Sequence, residues 1–247
     1  MGNVSNAIKH LVIVNVLFFV ATQLYGDMMY QWLSLWFVEN PNFHWWQLVS
    51  YMFMHGGIMH IAFNMYALWA FGSPLQQMWG SQKFFFFYFS AGIGAALIHA
   101  GVNYFYFKDG LEALTATGMS QMEILEIVKE GKYIPGWYDV VPKGTLDNFL
   151  SAINTPAVGA SGAVYGILVA FGMSFPNAEL MLLFLPVPIK AKYFIPILVG
   201  LDLFSGFTGY SLFGGGIAHF AHVGGALFGF LMMWYWKKNQ FNQNRWN

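Results

Sequence analysis

The apolar residues of this chain form long runs that contain no charged side chain. Asp, Glu, Lys and Arg are absent between Glu39 and Lys83, between Asp147 and Glu179, and between Asp202 and Lys237. A helix needs about 20 predominantly apolar residues to cross a bilayer, so each run is long enough for a crossing and further elements. Membrane-spanning strands would alternate over about ten residues, which these runs do not. The pattern predicts six helical spans, at about residues 11–26, 58–71, 84–106, 161–175, 193–207 and 218–236.

The connection between the third and fourth predicted spans, residues 107–155, is the one richly charged part of the chain. Ser120 followed by Glu123 resembles a helix capping box, and Gly131 is typical of a helix end. Apolar side chains recur between them at helical spacing, at Met122, Leu125 and Val128. We expect an amphipathic helix that lies on the outer leaflet of a membrane.

The composition excludes a soluble globular protein. Of 247 residues, 57% are hydrophobic and only 9% are charged, whereas a soluble domain has about 25% charged residues. A polytopic membrane protein with an all-α fold and a single membrane domain over residues 1–247 is expected, and its environment is the lipid bilayer. The net charge of zero argues against a nucleic-acid partner. The absence of cysteine excludes disulfides and thiolate metal sites.

The basic residues indicate how the chain is oriented. The short outer connections 27–57 and 208–217 contain no Lys or Arg, and the long connection 107–155 has little influence on topology. If both termini are cytoplasmic, the remaining basic residues all lie inside: Lys9, Lys83, Lys190, Lys192, Lys237, Lys238 and Arg245. We therefore expect both termini to be cytoplasmic, and the first span to be a retained helix rather than a cleaved signal peptide.

Polar groups inside predicted spans are informative because each is costly in a bilayer unless it is paired. His60 and Asn64 are four residues apart, so they share one helix face and can donate hydrogen bonds to the same point. Interhelical hydrogen bonding that holds the helices together explains this pair equally simply.

A second polar site lies at the start of the fourth span. Pro156 and Gly159 favour an irregular approach, after which Ser161 opens an apolar helix. The unpaired N–H groups at a helix start stabilise developing negative charge. Gly159 and Gly162 would let a substrate backbone come close. A packing face of small residues is the alternative interpretation.

A third polar site opens the sixth span, with His219 and His222 followed by Gly225 and Gly229. The glycine spacing predicts a close helix contact. If this face meets the fourth span, His222 can approach Ser161. The two histidines could equally be metal or haem ligands, or structural hydrogen-bonding groups.

Together the three sites supply a nucleophile, a general base and oxyanion donors, as acyl transfer requires. Asp202 is the only acidic residue in the six predicted spans. We interpret it as a structural residue at a helix end, with a place in a catalytic triad as the alternative, and expect a dyad of serine and histidine.

With these motifs the chain resembles the rhomboid intramembrane serine proteases of the six-helix bacterial type, from Trp46 to about Gly229. The family's Gly-x-Ser-Gly motif matches Gly159–Gly162, which implies that Ser161 is the nucleophile. Its Ala-His-x-Gly-Gly segment matches Ala221–Gly225, which implies that His222 is the base.

The remaining family positions are also present. His60 and Asn64 match the pair that holds the oxyanion together with the backbone N–H of Ser161. Tyr165 matches the aromatic ring that stacks on the catalytic histidine, and the resemblance gives His219 at most a supporting role.

The resemblance implies an intramembrane serine endopeptidase of the cell membrane, without metal or cofactor, that cleaves transmembrane protein substrates near the outer membrane face. Residues expected near the aqueous opening are His44, His55, Gly56 and Gly57. Residues expected at a lateral entrance for substrate are Phe63, Phe194 and Ile195.

The chain departs from the family in two places. Gln47 follows Trp46 where the family usually has arginine, which bears on folding more than on chemistry, and the connection 107–155 is long. Two other functions remain open. One is a non-enzymatic membrane protein with His60, His219 and His222 as metal or haem ligands. The other is a rhomboid-like protein that binds transmembrane helices without cleaving them.

Overall fold

Helices dominate the computed structural model, which describes residues 6–182, 185–210 and 218–243. Arg245 and residues 211–217 of the predicted outer connection lie outside the described residues. A 3-10 helix covers Tyr51–Phe53. The other elements are α1 (Asn6–Tyr25), α2 (Asp27–Leu33), α3 (Gln47–Ser50), α4 (Ile58–Trp79), α5 (Ser81–Thr115), α6 (Gln121–Lys129), α7 (Trp137–Val140), α8 (Lys143–Asn154), α9 (Ser161–Ser174), β1 (Glu179–Leu182), β2 (Leu185–Lys190), α10 (Ala191–Thr208) and α11 (His219–Gln243).

Each of the six predicted spans coincides with a long helix, namely α1, α4, α5, α9, α10 and α11. α4 continues beyond its predicted end to Trp79, where Gly80 follows with a φ of 78°. α5 continues to Thr115. By length and hydropathy, α1, α5 and α10 qualify as membrane spans among the described residues, and α9 is apolar but shorter. The chain is thus a membrane protein with several apolar helices, and the count of six crossings stays a prediction.

The fold is mostly helical, as predicted, and a hairpin of β1 and β2 between α9 and α10 is an element that the prediction did not include. Glu179 pairs with Lys190, and Leu180 pairs with Ile189, in antiparallel register. Pro188 lies in β2. Proline disfavours a helix interior and places the preceding residue in the extended region. Both strands are edge strands, where proline is tolerated.

The connection 107–155 forms a small helical unit with its own apolar core. The end of α5 packs with α6, α7 and α8 around Phe37, Phe107, Leu114, Ile124, Val128, Trp137, Val141, Leu146, Phe149 and Ile153. The predicted amphipathic helix is present as α6. Ile124 and Val128 face the core of this unit, whereas Met122 is 78% exposed. Protein thus covers the side of α6 that carries Ile124 and Val128 and leaves Met122 exposed, and the position of this helix on the outer leaflet stays a prediction.

Gln47, at the position where the sequence departs from the family pattern, is buried in the first connection. Its Oε1 accepts the backbone N–H groups of Trp36 at 3.3 Å and His44 at 3.1 Å. Its Nε2 donates to the carbonyl oxygens of Asn42 at 2.7 Å, Gln31 at 3.2 Å and Trp32 at 3.3 Å. An amide can donate and accept, whereas arginine only donates. The glutamine thus holds this connection together in a way that arginine cannot reproduce.

The first connection also holds the segment that leads into α9. The backbones of Leu35 and Ala157 exchange two hydrogen bonds of 2.9 Å. Nδ2 of Asn40 donates to the carbonyl oxygen of Ile153 at 2.8 Å. The irregular segment that leads to Ser161 is therefore held by the first connection, which precedes it by more than a hundred residues.

Helices α9 and α11 meet along their glycines, so the predicted contact between the fourth and sixth spans is confirmed. A Cβ atom on Gly225 would lie 1.8 Å from the carbonyl oxygen of Gly162, and one on Gly229 would lie 2.6 Å from Cα of Gly166. Helix α5 packs on the same crossing, since a Cβ on Gly162 would lie 2.6 Å from Cβ of Ala95. Any larger residue here would push the helices apart.

Replacing Gln47 by alanine should lower the free energy of unfolding by about 1–3 kcal/mol, because buried backbone groups lose their partners. Denaturant unfolding in detergent measures this change. The control is Gln121→Ala at the exposed start of α6, which should change stability by less than about 0.5 kcal/mol. Equal stability of the two variants would contradict the assigned role of Gln47.

Replacing Gly225 by alanine should destabilise the protein by about 1–3 kcal/mol or more, because the new methyl group overpacks the crossing of α9 and α11. The matched control is Gly200→Ala in α10, where a Cβ meets no atom within 4 Å. That variant should be neutral or gain about 0.5–1 kcal/mol from the better helix propensity of alanine. Thermal unfolding of both variants in the same detergent compares them, and an unperturbed Gly225→Ala would refute the packing argument.

Candidate active site

Ser161 is the first residue of α9, and its hydroxyl group contacts His222 near the start of α11. The distance from Oγ of Ser161 to Nε2 of His222 is 2.9 Å. Tyr165, one turn further along α9, stacks on the imidazole of His222, with ring centroids 4.2 Å apart and ring planes inclined by 12°. The structure thus brings together three side chains that the sequence motifs singled out.

Asp202 of α10 contacts the opposite side of the His222 ring. Its Oδ1 lies 3.1 Å from Nδ1 of His222 and 2.6 Å from Nδ1 of His219. The hydroxyl of Tyr165 donates to Oδ2. The prediction that Asp202 lies at a helix end is therefore wrong, and a carboxylate contacts His222, contrary to the arrangement expected for a dyad. Asp202 lies inside α10, is 7% exposed and accepts hydrogen bonds from three side chains.

The sequence contained one signal for this arrangement. A carboxylate in an apolar span is costly unless it is paired, and Asp202 is such a carboxylate. Its partners could not be read from spacing, because they lie on different helices. The pairing of Asp202 with His219 and His222 follows only from the packing of α10 against α11.

The carboxylate determines which nitrogen of His222 carries the proton. An ionised carboxylate only accepts hydrogen bonds, so Nδ1 of His222 donates to Asp202. In the neutral imidazole, Nε2 then has the free lone pair and accepts the hydroxyl of Ser161. A hydroxyl, an imidazole and a carboxylate are thus aligned across α9, α11 and α10, in the order that a nucleophile, a base and a group that orients the base require.

His60 of α4 lies near Ser161. A Cβ atom on Gly159, whose φ is +121°, would lie 2.8 Å from Nε2 of His60 and 3.5 Å from Oγ of Ser161. The backbone N–H of Gly56 donates to Nδ1 of His60 at 3.3 Å. Nδ1 is therefore the acceptor, and Nε2 of the neutral imidazole carries the proton. This arrangement places a hydrogen-bond donor next to Ser161.

Asn64 lies one turn after His60 on α4 and is buried. Its Nδ2 donates to the carbonyl oxygen of His60 at 2.9 Å, which uses one of two amide hydrogens. Among the described residues its side chain makes no hydrogen bond to Ser161. The backbone N–H of Ser161 opens α9, where helical N–H groups lack intrahelical partners, and the described part of the chain offers it no backbone acceptor.

The two histidines expected near an aqueous opening lie in different surroundings. His55 is fully buried and packs edge-on against His60, with ring centroids 5.1 Å apart. Burial lowers the pKa of His55 to about 4, and the nearby His60 adds to the shift, so this imidazole is neutral at physiological pH. His44 instead stacks with Trp46 at 4.3 Å and Trp32 at 5.3 Å. His55 therefore adjoins the site, whereas His44 belongs to an aromatic stack.

The residues expected at a lateral entrance also differ in their surroundings. Phe63 is 53% exposed on α4, whereas Ile195 of α10 is 3% exposed. The Cδ1 atom of Ile195 would lie 2.9 Å from a Cβ on Gly172 of α9. Ile195 is thus a core residue between α9 and α10, and its assignment to an entrance is wrong. Phe194 is partly buried against the same core.

One group of side chains in the described residues could bind a metal ion. One oxygen of Asp202 and one nitrogen each of His219 and His222 lie within 4.8 Å of one another. His60 lies beside Gly159 instead. The structure therefore does not gather His60, His219 and His222 into the single ligand set considered from the sequence.

Comparison with known proteins identifies relatives of the chain. It is 27% identical to Rhomboid protein 1, mitochondrial, of Saccharomyces cerevisiae over 191 residues, which are 77% of this chain and 42% of that protein. It is 29% identical to Presenilin-associated rhomboid-like protein A, mitochondrial, of Danio rerio over 210 residues, which are 84% of this chain and 41% of the relative. It is 42% identical to Rhomboid protease GluP of Bacillus subtilis over 53 residues, 22% of this chain and 10% of that protein.

The chain thus spans less than half the length of the first two relatives. A family model described as Rhomboid domain matches residues 42–122 and 140–239. The unmatched residues between these segments lie in the long connection. They include most of α6 and most of α7. The match covers most of the chain, including Ser161, His222 and Asp202, and the chain therefore belongs to the rhomboid family.

Proposed function

We propose that this protein is an intramembrane serine endopeptidase in which Ser161 attacks the peptide bond and His222 is the general base. The observation that carries the proposal is the contact of 2.9 Å between Oγ of Ser161 and Nε2 of His222, made inside a bundle of apolar helices. Membership of the rhomboid family supports it, because rhomboids are generally intramembrane serine proteases.

The reaction follows from the protonation states at the site. Nε2 of His222 takes the proton of the Ser161 hydroxyl as Oγ bonds to the scissile carbonyl carbon. The imidazolium then gives this proton to the leaving amine, and the C–N bond breaks to leave an ester on Ser161. The same nitrogen next removes a proton from a water molecule, which attacks the ester. The imidazolium then returns this proton to Oγ of Ser161 as the C–O bond breaks and the second product leaves.

Asp202 is proposed to orient His222 throughout these steps. Its Oδ1 accepts Nδ1–H, so the lone pair of Nε2 stays directed at Ser161 and the transient imidazolium is stabilised. Tyr165 supports the pair twice, by stacking on the ring of His222 and by donating to the second carboxylate oxygen. The proposed machinery is thus a triad rather than the dyad expected from the sequence.

The oxyanion is proposed to be stabilised by Nε2–H of His60, the backbone N–H of Ser161 and the second amide hydrogen of Asn64. The first lies on the same side of Gly159 as Oγ of Ser161, since a Cβ on Gly159 would contact both, and the second belongs to Ser161 itself. Asn64 can contribute only if its free hydrogen turns toward substrate. Such donors act strongly because they are fixed before the charge develops in a site of low dielectric constant.

The helix ends suggest how the protein is placed in the membrane. Lys237 of α11 donates to the carbonyl oxygen of Met173 at 2.6 Å, and the Nζ of Lys83 lies 4.1 Å from the ring centroid of Trp236. Ser161 begins α9 at the other end, about 18 Å from Met173 at 1.5 Å per residue. With six crossings, cytoplasmic lysines and both termini inside, Ser161 faces the outer side. We propose the cell membrane as the location.

The proposed substrates are transmembrane proteins that reach the site within the bilayer. A scissile bond inside a stable helix is protected by backbone hydrogen bonds. Substrates should therefore have glycine, proline or other small residues near the cleaved bond, where the helix is easily opened. No cofactor takes part in the proposed reaction.

The proposal predicts that Ser161→Ala and His222→Ala each reduce cleavage by more than about a thousandfold, because a nucleophile and its base act as a unit. Cleavage of a transmembrane substrate by purified protein in liposomes measures this loss. Ser151→Ala and His10→Asn, at exposed positions, serve as matched controls and should keep the parent rate. A folded Ser161→Ala or His222→Ala protein that keeps more than a few per cent of the rate would refute the assignment. A parent protein that binds the substrate helix without cleaving it would favour the inactive, helix-binding alternative.

The role of Asp202 predicts that Asp202→Asn lowers kcat by about 10²–10⁴-fold with little change in KM, because the amide no longer holds the productive tautomer of His222. Asp202→Glu should recover part of the rate, since it restores a carboxylate. Thermal unfolding of both variants is measured alongside. An unchanged kcat in a folded Asp202→Asn protein would show that the carboxylate does not orient the base.

A further inference from the structure

We propose that Asp202, His219 and His222 form a zinc site whose occupation inhibits the protease. The inference rests on the function proposed above and adds a regulatory ligand to the same site. It explains why α11 carries a second histidine, His219, beside the catalytic one.

The donor atoms already converge. Oδ1 of Asp202 lies 2.6 Å from Nδ1 of His219 and 3.1 Å from Nδ1 of His222, and the three donor atoms lie within 4.8 Å of one another. Two imidazoles and one carboxylate, with an open fourth position, are a common protein ligand set for Zn²⁺. An ion that enters between these atoms needs only small movements of the side chains.

The surroundings of the three groups also suit a metal site. The hydroxyl of Tyr165 donates to Oδ2 of Asp202, which orients the carboxylate and leaves Oδ1 directed at the histidines. Such hydrogen bonds to the ligands tune metal affinity. The side chain of Asp202 is 8% exposed and each histidine side chain is 13% exposed. The site is thus largely desolvated but open to an ion from water.

His219 has no step in the proposed reaction. Its hydrogen bond to Asp202 is nevertheless shorter than that of His222. A residue that only competed for the carboxylate would weaken the orientation of the base. Its position is instead that of a second nitrogen ligand, contributed from α11 one turn before His222.

Zinc bound in this way would remove the general base. The ion forms bonds to Oδ1 of Asp202 and to Nδ1 of both histidines, and the two hydrogen bonds to Oδ1 break. In each imidazole the proton moves from Nδ1 to Nε2, so no proton is gained or lost. Nε2 of His222 then carries a hydrogen and cannot accept the proton of Ser161. The metal-bound protein is therefore inactive although its fold is unchanged.

The test compares the parent protein with His219→Asn, which keeps a hydrogen-bond donor near Asp202 but removes a zinc ligand. Free Zn²⁺ is set with a chelator buffer, and cleavage is expressed relative to the rate of the same protein without zinc. His10→Asn is the matched control, because it removes an exposed histidine that is far from His219 in sequence. Mg²⁺ is titrated in parallel, because it prefers oxygen ligands.

Zinc binding is also measured by calorimetry, in the Ser161→Ala background with and without His219→Asn. This readout does not require proteolysis. The proposal predicts that Zn²⁺ inhibits the parent and His10→Asn alike, that Mg²⁺ does not inhibit, and that His219→Asn weakens both inhibition and binding at least about tenfold.

Two results would overturn the zinc site. One is the absence of saturable Zn²⁺ binding to the Ser161→Ala protein. The other is a Zn²⁺ affinity that His219→Asn leaves unchanged. A parent protein that binds zinc through His219 but does not cleave substrate would refute the proposed protease and leave the metal site standing. The two failures are therefore distinguishable.

Discussion

Helix α11 approaches α9 so closely that Gly225 could not carry a Cβ atom, which would lie 1.8 Å from the carbonyl oxygen of Gly162. The absent side chain of Gly225 allows the crossing, and Ser161 and His222 are placed directly beside it. Apolar side chains give no net hydrophobic drive between helices in lipid, so close packing of small residues must hold such a pair together. Ser161 and His222 are thus brought within hydrogen-bond distance by a backbone contact rather than by their own attraction.

The second constraint is the buried carboxylate of Asp202. A charge in an apolar bundle is tolerated only when it is paired and hydrogen-bonded. Tyr165, His219 and His222 supply these hydrogen bonds from α9 and α11. The same contacts that satisfy the carboxylate select the tautomer of His222, so one network meets both the structural requirement and the requirement of the proposed catalysis. The network also brings two nitrogens and an oxygen together, which is the basis of the zinc inference.

The features that were predictable from the sequence are local. The start of α9 at Ser161 and the glycine face of α11 follow from residues close together in the chain, as does the position of the six long helices. The features that were missed are set by distant partners. The contacts of Asp202 join α10 to α9 and α11, and Phe37 from the first connection packs into the core that covers α6. The partners of Gln47 are nearer in sequence, within 16 residues, but they depend on how an irregular connection folds. The hairpin of β1 and β2 was missed for a different reason. Its apolar residues are compatible with a helix or a strand, and Pro188 favours the strand because proline disfavours a helix interior.

The membrane setting explains why polar residues were the most informative part of the sequence. Most apolar positions could face lipid or protein equally well, as the misplaced Ile195 illustrates. Each buried polar side chain, by contrast, needed a partner, and the partners of Ser161, His60 and Asp202 all lie in one small region of the bundle.

The most direct test of the account is mass spectrometry of the membrane-reconstituted protein after exposure to a fluorophosphonate, which forms a covalent bond only with an activated serine. The account predicts one stoichiometric adduct on Ser161, with no adduct on the exposed Ser151. A folded protein that stays unmodified, or that is modified at another serine, would contradict the claim that His222 activates Ser161.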